Sequence, residues 1–422
     1  MRKILSGRRC LSDTPFKFTI DTNNTSATSS SSTQFILPIP DATPSGAGNM
    51  SMIIDWGDNS ALTNLTASNF STARSHTYSS AGTYNIQVSG DVRNFSFGAM
   101  GTGFDDASKV TEITQWGDLK VTENRAFTGC LNCGAISCED IPNFERSAVG
   151  FNMFQGMSSL KRINNIANWD VSNLSTMYSM FRNCGNLSDG TNAGGPINLT
   201  GWDVSNITSM FNAFGNCSSF NGRMFVLTSN TSIIENMFSG CTVFNNAGVT
   251  SIEAWDVTGV SDFSQVFNDC RAFNRDISSW DMSGATNLER MFAINNVTGV
   301  FNQPIGSWDT SSVQNFNNIL GNQTSFNQDI SNWDLTAVNT IGTGAYIPIS
   351  TSTSSSFQFP IVLSTANYDA ALIAWDADTY PSMPSGTWGF GLSQYSAAPS
   401  AAATARASLV TKWGGITDGG PV

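Results

Sequence analysis

Six Trp-Asp pairs recur along this chain and set the carboxylates of Asp170, Asp203, Asp256, Asp281, Asp309 and Asp334 one repeat apart. If the repeats stack at the strand spacing of about 4.8 Å, six carboxylates in file repel unless each is hydrogen-bonded or bridged by a cation. A calcium ladder needs several oxygen ligands per ion, and the period offers no second acidic position. Ser or Thr stands two residues after every one of these Asp residues. The expectation is therefore that each Asp accepts N–H groups of its own turn. A second file holds Cys130, Cys184, Cys217, Cys241 and Cys270, each three residues after a recurring Phe. Cys130, Cys133 and Cys138 superficially form a metal knuckle, but zinc takes four ligands, and neither His nor a second Cys pair lies nearby. Small thiols stacked in a core are the expected reading, with no metal and no cofactor. The single His, His76, lies before the repeats, so they hold no Ser/His/Asp arrangement, and no phosphate-cradling Gly loop follows a strand. An enzyme such as a glycan hydrolase would need a carboxylate pair in a cleft, which no sequence feature selects. A non-catalytic chain is expected.

The elements that must position these files are the repeats themselves. Phe273-Asn-Arg-Asp-Ile-Ser-Ser-Trp280-Asp281 returns as Phe301-Asn-Gln-Pro-Ile-Gly-Ser-Trp308-Asp309 and as Phe326-Asn-Gln-Asp-Ile-Ser-Asn-Trp333-Asp334. Twelve residues after Trp169, Trp202, Trp255, Trp280 and Trp308 stand Phe181, Phe214, Phe267, Phe292 and Leu320, and, degenerately, Ala345 after Trp333. The unit is 24 to 33 residues and occurs about nine times between residues 116 and 345. Periods of this size mark stacked arrays that bury one continuous core. A propeller of the Trp-Asp type is excluded, because its unit is about 40 residues and carries a Gly-His partner. Asn221, Asn245, Asn274, Asn302 and Asn327, each following a Phe, read as a backbone-bonding ladder.

The flanks differ. Residues 1–14 read as an arm and 15–93 as a small antiparallel β-sandwich, with strands at 16–21 and 34–40, a strand running into a turn over 51–59, a tight turn and alternating strand over 75–90, and Gly/Asn/Ser turns between them. The array is assigned to 94–347 and a C-terminal cap to 348–422, with helices at 364–375 and 401–412; an open array end exposes apolar side chains and strand edges. A Gly-rich insertion at 188–195 should project as a loop. The fold class expected is mainly β: sandwich, parallel array, and small α/β cap.

The motif Met237-Phe-Ser-Gly-Cys-Thr-Val-Phe-Asn245, together with Trp169-Asp-Val-Ser-Asn-Leu-Ser-Thr-Met177, resembles BspA-type leucine-rich-repeat surface proteins. That resemblance implies a parallel solenoid with one strand per turn, as in bacterial surface, adhesin and phage proteins. Asp55-Trp-Gly-Asp with His76-Thr-Tyr and Ala81-Gly-Thr-Tyr84 resembles polycystic-kidney-disease (PKD) type sandwiches, with Asn59 where Gly is common.

A net charge of −12 argues against nucleic acid, whose phosphates require a Lys/Arg surplus. No run of about 18 apolar residues exists to span a membrane. The N-terminal positive charges have no apolar segment behind them, so a secretory signal is not expected. These features point to an externally displayed recognition or structural protein, on a virion surface (phage tail, fibre or capsid decoration) or, alternatively, on a bacterial cell. Its partners would be virion or cell-surface proteins and host glycans, with self-association left open. Asp276, Ser278, Asp329 and Ser331, beside the Trp-Asp segments, are the expected recognition residues.

Overall fold

A computed structural model describes residues 14–39, 51–93, 95–99, 106–122, 124–144, 150–188, 197–295, 297–339, 346–350, 362–378 and 387–422, the side chains of Ala99, 346–350 and Thr387 excepted. The N-terminal arm and the 188–195 insertion lie outside these residues, apart from Thr14 and Ser188. The chain forms two compact units, 1–174 and 175–422. It is mainly β.

The first unit begins with β1 (Phe16–Asp21), whose alternate residues Phe16, Phe18 and Ile20 are buried. Next come β2 (Gln34–Ile36), β3 (Ser51–Asp55), β4 (Thr63–Thr66), a single turn α1 (Phe70–Ala73), β5 (Ser75–Thr77) and β6 (Thr83–Gly90). β1 pairs antiparallel with β6, β6 with β3, and β3 with β4. β2 and β5 pair antiparallel as a separate two-stranded sheet. β2 ends at Ile36, with Pro38 and Ile39 leaving the expected strand; proline has no N–H to give a ladder. Asn59 takes a left-handed φ of 63°, the conformation that makes Gly common at such a turn.

The large sheet does not stop at residue 93. β7 (Val110–Gln115) pairs antiparallel with β1, and then β9 (Ala135–Ile136) and β11 (Arg162–Ile163) extend it in parallel. β8 (Lys120–Val121) and β10 (Asn143–Phe144) form a separate parallel pair. The first repeats of this unit thus grow directly on the sandwich sheet, giving the order β11-β9-β7-β1-β6-β3-β4.

In the second unit the repeats pair through short parallel contacts rather than full strands. Single bridges join Thr176 to Ser209, Ser209 to Ile233, Asp262 to Asn287 and Asn287 to Asn315. Each bridge residue lies seven positions after Trp169, Trp202, Val226, Trp255, Trp280 or Trp308. From there the main chain donates at alternate residues to the next repeat: Met177, Ser179, Phe181 and Asn183 to Ser209, Phe211, Ala213 and Gly215. The same pattern recurs at Phe263, Gln265, Phe267 and Asp269 with Asn287, Glu289, Met291 and Ala293. Two residues on either side of the recurring Phe the backbone turns left-handed, as at Asn212 and Asn216 around Phe214 or Asn236 and Gly240 around Phe238. That periodic reversal interrupts the strand dihedrals while leaving the inter-repeat bonds intact.

The unit ends in β12 (Tyr346–Ser350), α2 (Thr365–Ala377), β13 (Thr387–Phe390), α3 (Ala401–Trp413) and β14 (Ile416–Thr417), the three strands parallel in the order β12-β13-β14. Both helices carry a Ser N-cap, Ser364 and Ser400, and α3 ends on Gly414 at φ 89°. Trp375 donates its indole N–H to the Trp333 carbonyl at 3.1 Å, so α2 closes the Trp file.

Candidate functional site

Most side chains in the files that could do chemistry bond within the repeats. In the Asp file, Asp170, Asp203, Asp256, Asp281, Asp309 and Asp334 each accept the N–H two residues on, at 2.7 to 3.2 Å. Five of them also accept the hydroxyl of that Ser or Thr at 2.6 to 2.7 Å. Hydrogen bonds from the Ser two residues on hold Asp203, Asp281 and Asp309 below the usual carboxylate range. The turn itself fixes the carboxylate, so its position does not depend on a cation.

Cys217, Cys241 and Cys270 are fully buried and donate S–H to the carbonyls of Phe181, Phe214 and Phe238, at 2.9, 3.0 and 3.0 Å. Each thiol thus reaches back to the Phe of the preceding repeat. Burial pushes all three above the ordinary thiol range, Cys241 and Cys270 well above it, so they stay protonated. Cys130 and Cys184 are equally buried. Gln323 takes this position three residues after Leu320, and its side-chain N–H₂ donates to the Phe292 carbonyl at 2.6 Å. Among the described residues no group of three or more His, Cys, Asp or Glu is arranged to hold a metal, the Cys130/Cys133/Cys138 set included.

The Trp file explains the Ile-x-x-Trp spacing. The Ile252 carbonyl accepts the backbone N–H of Trp255 at 3.2 Å and the indole N–H of Trp280 at 2.9 Å. Ile277 does the same for Trp280 and Trp308, and Ile305 for Trp308 and Trp333. The Phe residues stack in two columns: Phe181, Phe214, Phe238, Phe267 and Phe292 have successive ring centroids 5.5 to 5.9 Å apart. Phe220, Phe244, Phe273, Phe301 and Phe326 run beside them. The Asn file is a true ladder. Oδ1 of Asn221, Asn245, Asn274 and Asn302 accepts the N–H of the next Asn at 2.8 to 3.1 Å, and Asn327 accepts Ser364 N–H at 2.7 Å.

Asp276, Ser278, Asp329 and Ser331 lie in turns just before Trp280 and Trp333. Asp276 and Asp329 are exposed, but each accepts the N–H of Ser278 or Ser331, at 3.0 and 2.9 Å, in a turn. The Trp-Asp segments form no strand; a 3-10 turn precedes Trp169, Trp255 and Trp308, and the bridges lie seven residues later. The ladder face instead presents residues seven and nine positions after the Trp, which sequence patterning missed because these side chains belong to no single chemical class.

Two further clusters lie in the first unit. Lys109 and Asp106 form a fully buried ion pair at 3.1 Å, and both bond Ser30. Burial lowers the Lys109 pKa, opposed by the Asp106 charge. The pair pins the 30–36 segment through Ser31, Gln34 and Ile36. Asp58 meets His76 at 2.8 Å, and His76 stacks on Trp56 with centroids 5.0 Å apart.

Comparison with protein families places the array. The model of the family described as "Mycoplasma protein of unknown function, DUF285" matches residues 98–193, 123–251, 186–297 and 295–344, together more than half of the chain. The chain belongs to this family. The overlapping matches follow the repeats, and the family is associated with BspA-like surface repeat proteins. Comparisons with curated proteins and with solved structures find no match. No helix among the described residues of this DUF285 chain is long and apolar enough to cross a membrane.

Proposed function

We propose that this DUF285 chain is a non-catalytic, externally displayed recognition or structural protein. Its repeats form a leucine-rich-repeat-like parallel solenoid, started by a PKD-like sandwich and closed by the α/β cap. The observation that carries this reading is that the Cys, Trp, Asn and Asp files bond mostly within the repeats, which leaves Ser, Thr, Asn and Gly at the surface. A polar face held at fixed spacing suits contacts that lose little ordering entropy on binding. The first placement is a virion surface, as a tail, fibre or capsid-decorating component that mediates attachment. A cell-surface adhesin is the second, favoured by the family's association with BspA-like surface proteins. Negative-stain imaging of native particles with a gold-labelled antibody against the chain tests both. Label on particles supports the virion placement, label on intact cells alone supports the adhesin, and label confined to lysed cells sinks external display.

A further inference from the structure

The ladder face of the second unit changes character along its length. Bridge positions run Thr176, Ser209, Ile233, Asp262, Asn287 and Asn315, and two residues on from these stand Tyr178, Phe211, Glu235, Ser264, Glu289 and Asn317. Residues two apart on a rung share a face, and consecutive rungs lie about 4.8 Å apart. Phe211 is half-buried, stacked on Tyr178 with centroids 4.8 Å apart, and Ile233 on the next rung is 40% exposed. Glu235, Asp262 and Glu289 then follow within three rungs, all half-buried. Their bonding partners are neutral: Asp262 accepts Ser264 N–H at 2.8 Å and the Asn287 side-chain N–H at 3.0 Å, and Glu289 accepts that of Asn315 at 3.2 Å. One carboxylate oxygen of Glu235 is buried without a hydrogen-bond partner. The nearby Arg290 turns its guanidinium to Asn295 at 3.1 Å.

We infer that this face docks a basic, apolar-bearing peptide segment of a partner protein. Aliphatic side chains of the segment would cover Phe211 and Ile233, and Lys or Arg would meet Glu235, Asp262 and Glu289. Charge complementarity selects this occupant, since three carboxylates whose hydrogen bonds come from neutral groups repel an acidic partner and make a second copy of this acidic chain a poor fit. The aromatic pair argues against a glycan. Its two rings stack on each other at an interplanar angle of 18°, which occupies one face of each, whereas a sugar ring needs an open aromatic face. Burial raises the Glu235 pKa, with Asp262 adding repulsion, and an incoming cation relieves both. The inference rests on external display and adds the partner's chemistry.

The test uses the full chain and a fluorescein-labelled decapeptide of alternating Leu and Lys. Fluorescence anisotropy is read at about 50 and about 300 mM salt, against a Leu/Glu decapeptide and an oligosaccharide of N-acetylglucosamine. Saturable binding of the Leu/Lys peptide alone is expected, weakened by salt and by about tenfold in the double variant Glu235→Gln/Glu289→Gln. Glu139→Gln/Asp378→Asn, which removes the same charge at exposed positions elsewhere, should bind like the parent, and Ile233→Ser should weaken binding without changing the thermal midpoint. No saturable binding, equal loss in both double variants, or preference for the oligosaccharide would each overturn the inference. None of these outcomes bears on external display, which the particle imaging decides separately.

Discussion

Asp58 accepts hydrogen bonds from the Ser60 N–H and from His76, at 3.0 and 2.8 Å. Burial alone would raise its pKa; the bonds from Ser60 and His76 and the His76 charge outweigh it and hold the group at about 2, against an ordinary 3.8. A folded pKa below the unfolded one contributes stability above about pH 4, and that contribution is lost as pH falls toward 2. The thermal midpoint of Asp58→Asn should therefore lie below the parent's at pH 6, by the equivalent of about 1–2 kcal/mol, and converge with it near pH 2. Melting curves by circular dichroism across that range check it, and a constant gap would assign the loss to packing instead. Asp281 makes the complementary case at the surface. Its carboxylate already accepts the N–H and hydroxyl of Ser283, so calorimetric titration of the chain with calcium should show no saturable heat. The Asp281 turn is legible in residue types alone, since Asp-x-Ser spacing is itself a turn signature. The bridge positions are opaque for a physical reason: a backbone-to-backbone bond makes no demand on the side chain, and Ser209, Ile233 and Asp262 serve equally.

At the scale of the element, one repeat is a Trp-anchored turn, a short parallel contact and a left-handed reversal around the Phe. Gly240 sits at φ 80°, and an added Cβ would meet Asn216 Oδ1 at 2.5 Å. Gly240→Val should cost on the order of 1–3 kcal/mol. Asn236→Gly, at φ 59°, should change stability by only a few tenths. Urea unfolding of the two variants separates backbone strain from lost contacts. In the Asn ladder, Asn274→Ala removes the acceptor for Asn302 N–H at 2.9 Å and for the Gln303 side chain at 2.8 Å. These groups are partly open to water, so a loss of about 1 kcal/mol is expected, and a neutral variant would show that water replaces the rung. The ladder is readable in the sequence because Asn follows Phe in unit after unit. The reversals are not, because Asn and Gly share those positions with Ser179, Gln265 and Arg290, which carry no turn signature.

For the whole molecule one structural claim stands above the rest. The side chains that look reactive are the mortar between repeats. Cys184, Cys217, Cys241 and Cys270 report on it most directly, because their burial exists only if consecutive repeats stack in this register. A protonated thiol is also a poor nucleophile, so inaccessibility and chemistry act in the same direction. The measurement is iodoacetamide labelling of the native chain, followed over hours and read peptide by peptide by mass spectrometry, with a parallel sample in denaturant. Stacked repeats predict that these four thiols stay unmodified in the native chain and react together on unfolding. Labelling of any two of them at the denatured rate, in a chain that keeps its native circular dichroism, would contradict it.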